Sequence, residues 1–297
     1  MGKRILYTVL DWGLGHATRS IPIINGLRSH GCEVVMASDN MALEYLRREF
    51  PQLKAYSLPS YGVTYSYRNL MGNALKNSKN IAEAMLSEQR VTNQLVASEN
   101  IDAIVSDNRY GCYSKSIPSA IVTHQLKFRT GNSILDKATQ VMVKKWLTPF
   151  DAIWIPDNKQ RSLSGVISET SDPRARYIGW QSTVTSRGGG NRFKLVAILS
   201  GPEPQRSNLE NEVRPQLEAK GEPCVLVRGV SGFDEPRQKG NLTIYDHLDR
   251  KSIDRLMGQT TTIFCRTGYS SLMDLACAGM KAILVPTPAQ PEQLHLG

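Results

Sequence analysis

Short apolar runs rich in Val, Ile and Leu alternate along this chain with longer stretches in which apolar residues recur at helical spacing. Such runs are typical of strands buried on both faces, and their alternation with helices predicts a parallel sheet. In the first part of the chain, the pattern predicts strands at 4–10, 33–37, 53–57, 101–106, 119–123 and 152–155. It predicts helices at 18–29, 41–50, 69–98 and 134–147.

The alternation restarts after a polar stretch, residues 181–192, that contains three consecutive glycines. Consecutive glycines disfavour helix and strand interiors, so this stretch is predicted to be a linker or an exposed loop. Beyond it, the pattern predicts strands at 193–199, 224–228, 242–245, 261–265 and 282–285, and helices at 208–220, 251–258 and 270–279. We therefore predict two α/β domains, 1–180 and 181–297, and we expect the second to lack its natural C-terminal part.

Composition narrows the class of protein. A chain of 297 residues fits two domains better than one small core, and no apolar run is long enough to span a bilayer. The five cysteines are odd in number and form no CxxC pair, which favours reduced thiols in a cytoplasmic protein over disulfides or a zinc site.

The formal net charge of +9 is uneven, with +7 on residues 1–180 and +2 on 181–297. A basic first domain indicates an acidic partner such as anionic lipid, although a solvated basic face explains it equally well. Residues 61–80 interleave aromatic and aliphatic side chains with basic ones, which predicts contact with an anionic membrane surface or, alternatively, a lid loop. No nucleic-acid-binding signature is present, so no nucleic-acid partner is expected.

The stretch DWGLGHATRS, residues 11–20, lies between the first predicted strand and helix. It matches the dinucleotide-binding fingerprint only in part, because Thr18 stands where the third glycine allows close packing. A nicotinamide or flavin site stays open as an alternative. A neutral histidine at a helix N-terminus can instead accept a proton from an attacking hydroxyl, which makes His16 a candidate general base. Arg19 and Asp11 could orient it, Asp11 is a rival base, and a structural capping role for His16 is the other interpretation.

Residues 265–293 contain a second candidate site. Backbone N–H groups and hydroxyls between a predicted strand and helix favour a diphosphate there, together with Arg266. Asp274 lies one helical turn further on, where a carboxylate could accept hydrogen bonds from ribose hydroxyls. The residues assigned to donor binding here are Arg266, Thr267, Gly268, Ser270, Ser271, Asp274, Gln290, Glu292 and Gln293.

At these motifs the sequence resembles the MurG-like glycosyltransferases of family 28, which have the GT-B fold. The resemblance rests on the first-domain glycines and histidine, and on an Arg-Thr-Gly, carboxylate, Ala-Gly and Pro-rich order in the second domain: Gly13, Gly15, His16, Arg266, Thr267, Gly268, Asp274, Ala278, Gly279, Pro286, Gln290 and Gln293. It implies two Rossmann-like domains whose parallel sheets face a cleft, with the acceptor on the first domain and a nucleotide-sugar donor, UDP-linked, on the second. It also implies that Ser200 and Gly201 approach the donor phosphates and that His247 and Leu248 border the uracil.

Three departures point to a branch distinct from the peptidoglycan enzyme. Asp274 stands where the lipid-intermediate enzymes of the family have Glu, the first loop has one glycine fewer, and the second-domain loop reads Gly201-Pro202-Glu203-Pro204. Prolines lack N–H donors and Glu203 is acidic, which weakens the case for phosphate contact by that loop.

No two aspartates occur at positions i and i+2, so we expect no metal and no other cofactor. The resulting hypothesis is an inverting hexosyl transfer in which His16 is the base and the acceptor is a lipid-linked or anionic glycan, at the inner face of the cytoplasmic membrane. Acceptor-side candidates follow two predicted strands: Asp107, Asn108, Arg109, His124 and Gln125. A nucleotide-sugar 2-epimerase of the same fold and a non-catalytic nucleotide-sugar-binding protein are the alternatives.

Overall fold

The protein, seen in a computed structural model, divides into two compact units, Met1–Gln181 and Ser182–Gly297. The structure describes residues 2–61, 70–127, 133–201, 203–230, 232, 235–288 and 293, and among these the side chains of 70–80 and 135 are not described. Each unit is an α/β domain built on a largely parallel sheet, as the apolar pattern predicts.

The first unit contains a seven-stranded parallel sheet in the order β3-β2-β1-β4-β5-β6-β7. Its strands are β1 (Arg4–Val9), β2 (Glu33–Ser38), β3 (Ala55–Ser57), β4 (Ala103–Asp107), β5 (Ser119–Val122), β6 (Ala152–Ile155) and β7 (Ala175–Tyr177). Its helices are α1 (Leu14–Ser29), α2 (Asn40–Glu49), α3 (Leu70–Ser98) and α4 (Ser133–Leu147), and a short 3-10 helix spans Gly165–Ser168.

Both faces of this sheet are covered, which explains why its strands read as continuous apolar runs. Tyr7 on β1 packs in a core cluster with Ile21 of α1 and Leu46 of α2. Leu6, the next residue along the chain, faces the opposite side and packs with Leu95 of α3. Successive side chains of a strand point to opposite faces, so one strand anchors helices on both sides of the sheet.

The second unit contains a six-stranded sheet in the order β10-β11-β9-β8-β12-β13, in which only the β10 and β11 pair is antiparallel. Its strands are β8 (Leu195–Ile198), β9 (Cys224–Val227), β10 (Arg237–Lys239), β11 (Leu242–Tyr245), β12 (Thr262–Arg266) and β13 (Lys281–Val285). Its helices are α5 (Gln205–Glu218), α6 (Arg250–Gly258) and α7 (Tyr269–Ala278).

The differences from the sequence prediction include two strands and the start of one helix. Strands β7 and β10 were not predicted, because three-residue edge strands with exposed polar positions carry no apolar periodicity. Helix α1 begins at Leu14 rather than at residue 18, since Gly13 makes the turn at a φ of 82° and Gly15 continues into the helix. His16 therefore lies inside the first helical turn.

All five cysteines are free thiols. Within the described part of the chain, no helix has the length and apolar character needed to cross a bilayer.

Candidate active site

A cluster of polar side chains lies at the carboxyl ends of the central strands of the first unit. His16 is in the first turn of α1, Arg19 is one turn later, and Asp107 is the last residue of β4. His124 follows β5, the strand next to β4. Open parallel α/β sheets bind ligands at this edge, so the topology places these four residues where chemistry is expected.

Asp107 contacts both His16 and Arg19. Its Oδ1 lies 2.8 Å from His16 Nδ1, and its Oδ2 accepts a 2.7 Å hydrogen bond from Arg19 Nε. Arg19 also donates to Oδ1 through Nη2, and the same Nη2 lies 2.8 Å from His16 Nδ1. The Asp107 side chain is fully buried and that of Arg19 nearly so, whereas 14% of the His16 side chain is exposed. Asp107 and Arg19 are thus enclosed and His16 reaches the surface.

The charges in this cluster determine its protonation state. Burial acts to raise the pKa of Asp107, but Arg19 and His16 outweigh it and hold that pKa at about 2, so the carboxylate is ionised. Burial, and then the Arg19 cation, lower the pKa of His16 below its usual value, so the imidazole is neutral at physiological pH. His16 Nδ1 lies 2.8 Å from an ionised acceptor, Asp107 Oδ1, and also 2.8 Å from a donor, Arg19 Nη2, and these two contacts favour opposite tautomers. When Nδ1 carries the proton and donates it to Asp107, Nε2 is left able to accept a proton.

The other acceptor-side candidates adjoin this cluster. His124 Nδ1 lies 3.4 Å from Arg19 Nη1, and His124 is buried. Asn108 adopts a left-handed φ of 54°, and its buried Oδ1 has no hydrogen-bond partner among the described residues. Gln125 is half-buried, and its backbone N–H donates to Thr123 Oγ1.

Two predicted roles in the first unit do not fit the geometry. The carboxylate that contacts His16 is Asp107, whereas Asp11 accepts a 3.1 Å hydrogen bond from the backbone N–H of Ala42. Arg109 is completely buried and donates to Asp39 and to the carbonyl oxygen of Val9, so it is not exposed for an acceptor. Because Arg109 follows a strand, the sequence predicts that it lies near the site. The sequence does not show whether such an arginine is exposed or buried.

In the second unit, two buried hydroxyls lie at the carboxyl ends of neighbouring strands. Thr267 follows β12 and Thr287 follows β13, and neither Oγ1 has a hydrogen-bond partner among the described residues. Next to Thr267, α7 begins with Gly268 at its N-cap, and no acidic residue occupies its first turn. Ser270 and Ser271 are half-buried in that turn. The N-terminus of a helix attracts anions.

Two second-unit residues are engaged differently from their predicted roles. Arg266 is buried and donates to the carbonyl oxygens of Pro286 and Gln205, so its guanidinium joins two loops instead of facing a phosphate. Both oxygens of Asp274 accept hydrogen bonds from Arg250, at 2.8 and 2.9 Å, and Ser182 Oγ donates to Oδ1 at 2.5 Å. A ribose hydroxyl would have to compete with Arg250 for that carboxylate.

In the loop after β8, the negative charge of Glu203 is paired with a residue of α5. Ser200 and Gly201 are exposed, with a φ of 113° at Gly201. Glu203 pairs with Arg206 Nε at 2.5 Å and accepts from the backbone N–H of Ser207, so its charge is directed to α5. A side chain added at Gly201 would have its Cβ 4.0 Å from Thr287 Oγ1, which places this loop beside the orphan hydroxyl.

Sequence reasoning missed an ion network behind these loops. Arg228, directly after β9, donates to Glu210 of α5 at 2.6 Å and to Asp246, directly after β11, at 2.7 Å. His247 and Leu248, the predicted uracil neighbours, follow Asp246 and are half-buried. The available signal was that charged residues end two adjacent strands, although nothing in the spacing pairs them.

The structure does not describe all of the residues that the sequence predicts for these sites. Gln290 and Glu292 are not described, whereas Gln293 Oε1 accepts a 2.7 Å hydrogen bond from the backbone N–H of Thr287. Of the predicted membrane segment 61–80, residues 62–69 and the side chains of 70–80 are not described. Among the described residues, no group of three or more His, Cys, Asp or Glu side chains could hold a metal ion.

Comparison with known proteins assigns the fold. No protein-family model matches the chain. It is 20% identical over 279 residues to a UDP-N-acetylglucosamine-N-acetylmuramyl-(pentapeptide) pyrophosphoryl-undecaprenol N-acetylglucosamine transferase from Sulfurihydrogenibium sp. (strain YO3AOP1), covering 92% of this chain and 75% of the relative. It superposes on the glycotransferase of kitacinnamycin with a TM-score of 0.67 and 13% identity, covering 99% and 84% of the two chains. MurG from Acinetobacter baumannii gives a TM-score of 0.54 and 14% identity, covering 100% and 83%. These are GT-B structures.

Proposed function

We propose that this chain, a MurG-like protein with the GT-B fold, is a glycosyltransferase that moves a sugar from a UDP-sugar to an acceptor hydroxyl. The proposed transfer inverts the anomeric configuration and needs no metal. The observation that carries the proposal is the His16, Asp107 and Arg19 cluster, in which a neutral, partly exposed imidazole is oriented by an ionised, fully buried carboxylate. That arrangement is suited to a general base.

In the proposed reaction, His16 Nε2 removes the proton of the acceptor hydroxyl. The oxygen attacks the anomeric carbon of the donor sugar as the bond from that carbon to the diphosphate oxygen breaks, and UDP leaves with the bonding electrons. Asp107 accepts a hydrogen bond from Nδ1 and stabilises the imidazolium that forms. A single displacement of this kind inverts the anomeric carbon.

The second unit supports the donor assignment. A leaving diphosphate develops negative charge, which the N-terminus of α7 and the hydroxyls of Thr267 and Thr287 can stabilise. The Sulfurihydrogenibium relative is named for a UDP-sugar donor and a lipid-linked acceptor, which favours the same classes of substrate here.

Calorimetric titration tests the donor assignment. UDP, GDP, dTDP and NAD are compared in EDTA and then in Mg²⁺, and we expect UDP to bind best, with equal affinity in both buffers. NAD binding without UDP binding would favour a dehydrogenase. Transfer is then measured as UDP released from a panel of UDP-sugars with candidate acceptors, with His16→Ala as the inactive control. Epimerised donor formed without an acceptor would identify a 2-epimerase.

A described surface also supports peripheral membrane contact. On α4, Ile134 and Val141 are 76% and 69% exposed and lie seven residues apart, on the same face of the helix. Lys137, Lys144 and Lys145 are exposed around them. An exposed apolar stripe flanked by lysines is suited to the surface of an anionic bilayer.

Liposome sedimentation tests this contact. Vesicles of phosphatidylglycerol and phosphatidylcholine are compared with pure phosphatidylcholine, at low and high salt. We expect salt-sensitive binding to the anionic vesicles, weakened in an Ile134→Ser/Val141→Ser variant. A control variant with Leu86→Ser, an exposed residue of α3, should bind as the parent does. Equal binding by all three proteins would remove α4 from the proposal.

A further inference from the structure

A cavity lies at the carboxyl edge of the first unit's sheet, the same edge at which the His16 cluster lies. It has a volume of about 220 Å³ and is formed by residues that follow β1, β2 and β3: Leu10, Asp11, Trp12, Asp39, Asn40, Ser60 and Tyr61. Pockets for drug-sized ligands measure roughly 300–1,000 Å³, so this smaller cavity suits a single ring. Trp12 lies four residues before His16, which is in the first turn of the following helix, so the cavity and the proposed base both lie at the carboxyl end of β1.

One wall of the cavity is aromatic. Trp12 is 46% exposed, an unusual position for the largest apolar side chain, and its ring meets that of Tyr61 edge to face with centroids 6.3 Å apart. The exposed part of the indole is available to pack against the apolar C–H side of a flat ring.

Two carboxylates are among the polar groups that line the cavity. Asp11 uses Oδ1 to accept from the backbone N–H of Ala42, and its Oδ2 has no hydrogen-bond partner among the described residues. Asp39 is buried, and its Oδ2 accepts a 3.1 Å hydrogen bond from Asn40 Nδ2. Carboxylates accept several hydrogen bonds each and donate none when ionised, so a matching ligand must carry hydroxyl or N–H donors.

Arg109 fixes the shape of the cavity. The fully buried guanidinium donates to Asp39, to the carbonyl oxygen of Val9 at 2.7 Å and to that of Pro59 at 3.1 Å. Its Nη1 also lies 2.5 Å from Glu88 Oε1 on α3, and Glu88 Oε2 accepts from the Tyr61 hydroxyl. One side chain thus ties together the three loops that form the cavity, so the site is preorganised.

The electrostatics exclude an anionic ligand. Burial raises the pKa of Asp39, and although Arg109 opposes this, the nearby Asp11 carboxylate raises it further. Burial likewise raises the pKa of Glu88 against the effect of Arg109. The Arg109 guanidinium pairs with two carboxylates, Asp39 and Glu88, and Asp11 adds a third acidic group, so a phosphate or carboxylate group in the cavity would meet like charge.

We propose that this cavity binds an uncharged sugar ring, with its apolar face on Trp12 and its hydroxyls donating to Asp11 and Asp39. The inference rests on the proposed glycosyl transfer and deepens it, since the ring would be the acceptor unit that His16 deprotonates. Any acidic or lipid-linked portion of the acceptor must then lie outside the cavity.

Saturation-transfer NMR tests the proposal without a donor. The full chain is mixed separately with the methyl β-glycosides of glucose, galactose, N-acetylglucosamine and glucuronic acid. We expect transfer to the C–H protons of at least one neutral glycoside and weaker transfer to the glucuronide. Trp12→Leu should abolish the signal, and Asp11→Asn should weaken affinity about tenfold, because a charge-assisted hydrogen bond is lost. Met41→Ala is the matched control, since Met41 is 54% exposed and does not line the cavity.

The proposal is overturned if no neutral glycoside receives saturation, if the glucuronide binds as well as the neutral rings, or if Trp12→Leu and Met41→Ala behave alike. UDP titration of the same samples separates this failure from failure of the proposed function. UDP binding without any glycoside binding would refute only the inference that the cavity binds the acceptor sugar. Neutral-sugar binding without UDP binding would instead refute glycosyl transfer.

Discussion

Asp107 Oδ1 lies 2.8 Å from His16 Nδ1, so the last residue of β4 orients the imidazole in the first turn of α1. Residues 91 positions apart meet because β1, which leads into α1, pairs with β4 in the sheet. The reactivity of His16 therefore depends on Asp107 and on the buried Arg19 that holds Asp107 ionised.

If His16 and Asp107 act as one unit, their substitutions should not add. We expect His16→Ala and Asp107→Asn each to lower kcat by a factor on the order of 10² or more, because general-base catalysis typically contributes that much. The double variant should be no slower than the slower single variant. UDP affinity, measured by calorimetry, should stay unchanged in all three. Additive losses in kcat, or a parallel loss of UDP affinity, would show that the pair is structural.

Arg19 should set the pH dependence of turnover. The base works only when His16 is neutral, and burial followed by Arg19 lowers its pKa, so the acid limb of kcat/KM should lie below pH 6.5. In Arg19→Gln the opposing cation is gone while Asp107 still attracts a proton, so the limb should move to higher pH.

Arg19→Lys, which keeps the charge, is the control and should keep the acid limb low. Because Arg19→Gln leaves a buried carboxylate without its ion pair, a loss of about 3–5 kcal/mol of stability is expected. Profiles are therefore recorded well below the unfolding transition, as followed by circular dichroism. If the acid limb of kcat/KM does not move in Arg19→Gln, Arg19 does not control the pKa of His16.

We expect Thr267 and Thr287 to lower the stability of the ligand-free protein and to increase its affinity for the donor. A buried hydroxyl without a partner costs about 1–3 kcal/mol, so Thr267→Val and Thr287→Val should raise the unfolding temperature of the ligand-free protein. The same changes remove hydrogen bonds to a diphosphate and should weaken UDP binding about tenfold.

Thr260→Val is the matched control for this pair. Thr260 is also fully buried, but its Oγ1 donates to the carbonyl oxygen of Thr262 at 3.2 Å. We expect that substitution to lower the unfolding temperature and leave UDP affinity alone. Destabilised Thr267→Val and Thr287→Val proteins with normal UDP binding would show that both hydroxyls serve the fold.

Arg250 should compete with the donor for Asp274. If Asp274 accepts hydrogen bonds from ribose, Asp274→Asn should weaken UDP binding about tenfold. Arg250→Met, which removes both arginine hydrogen bonds and leaves only Ser182 Oγ on the carboxylate, should strengthen UDP binding severalfold. dTDP lacks the 2′-hydroxyl and should respond less to either change. Unaltered affinities with a lower unfolding temperature would identify the Arg250 and Asp274 pair as an anchor for the linker at Ser182.

The sequence predicted the fold well because buried parallel strands leave apolar runs that can be read directly. It placed His16, Arg19, Asp107 and His124 at one sheet edge, since residues that follow parallel strands share that edge. It failed for Arg109 and Arg266, whose guanidinium groups satisfy backbone carbonyls inside the unit. Arginine side chains are mostly exposed, so only three-dimensional packing could show that these two are buried.

The sequence also did not reveal the cavity beside Trp12. Trp12, Asp39 and Ser60 come from three separate loops, and no spacing rule connects them. Thr287 was overlooked for a different reason. Its hydroxyl is notable only for the partner it lacks among the described residues, and a sequence shows no hydrogen bonds.

The anchoring of three loops by Arg109 bears on how the substrate range of such a protein can evolve or be engineered. Asp39 is fixed by a buried cation that also holds Val9, Pro59 and Glu88, so a change at Asp39 disturbs the whole edge of the sheet. Trp12 is largely exposed, and changes there leave this framework intact. A library aimed at new acceptors should therefore vary Trp12 and keep Asp39 and Arg109 constant.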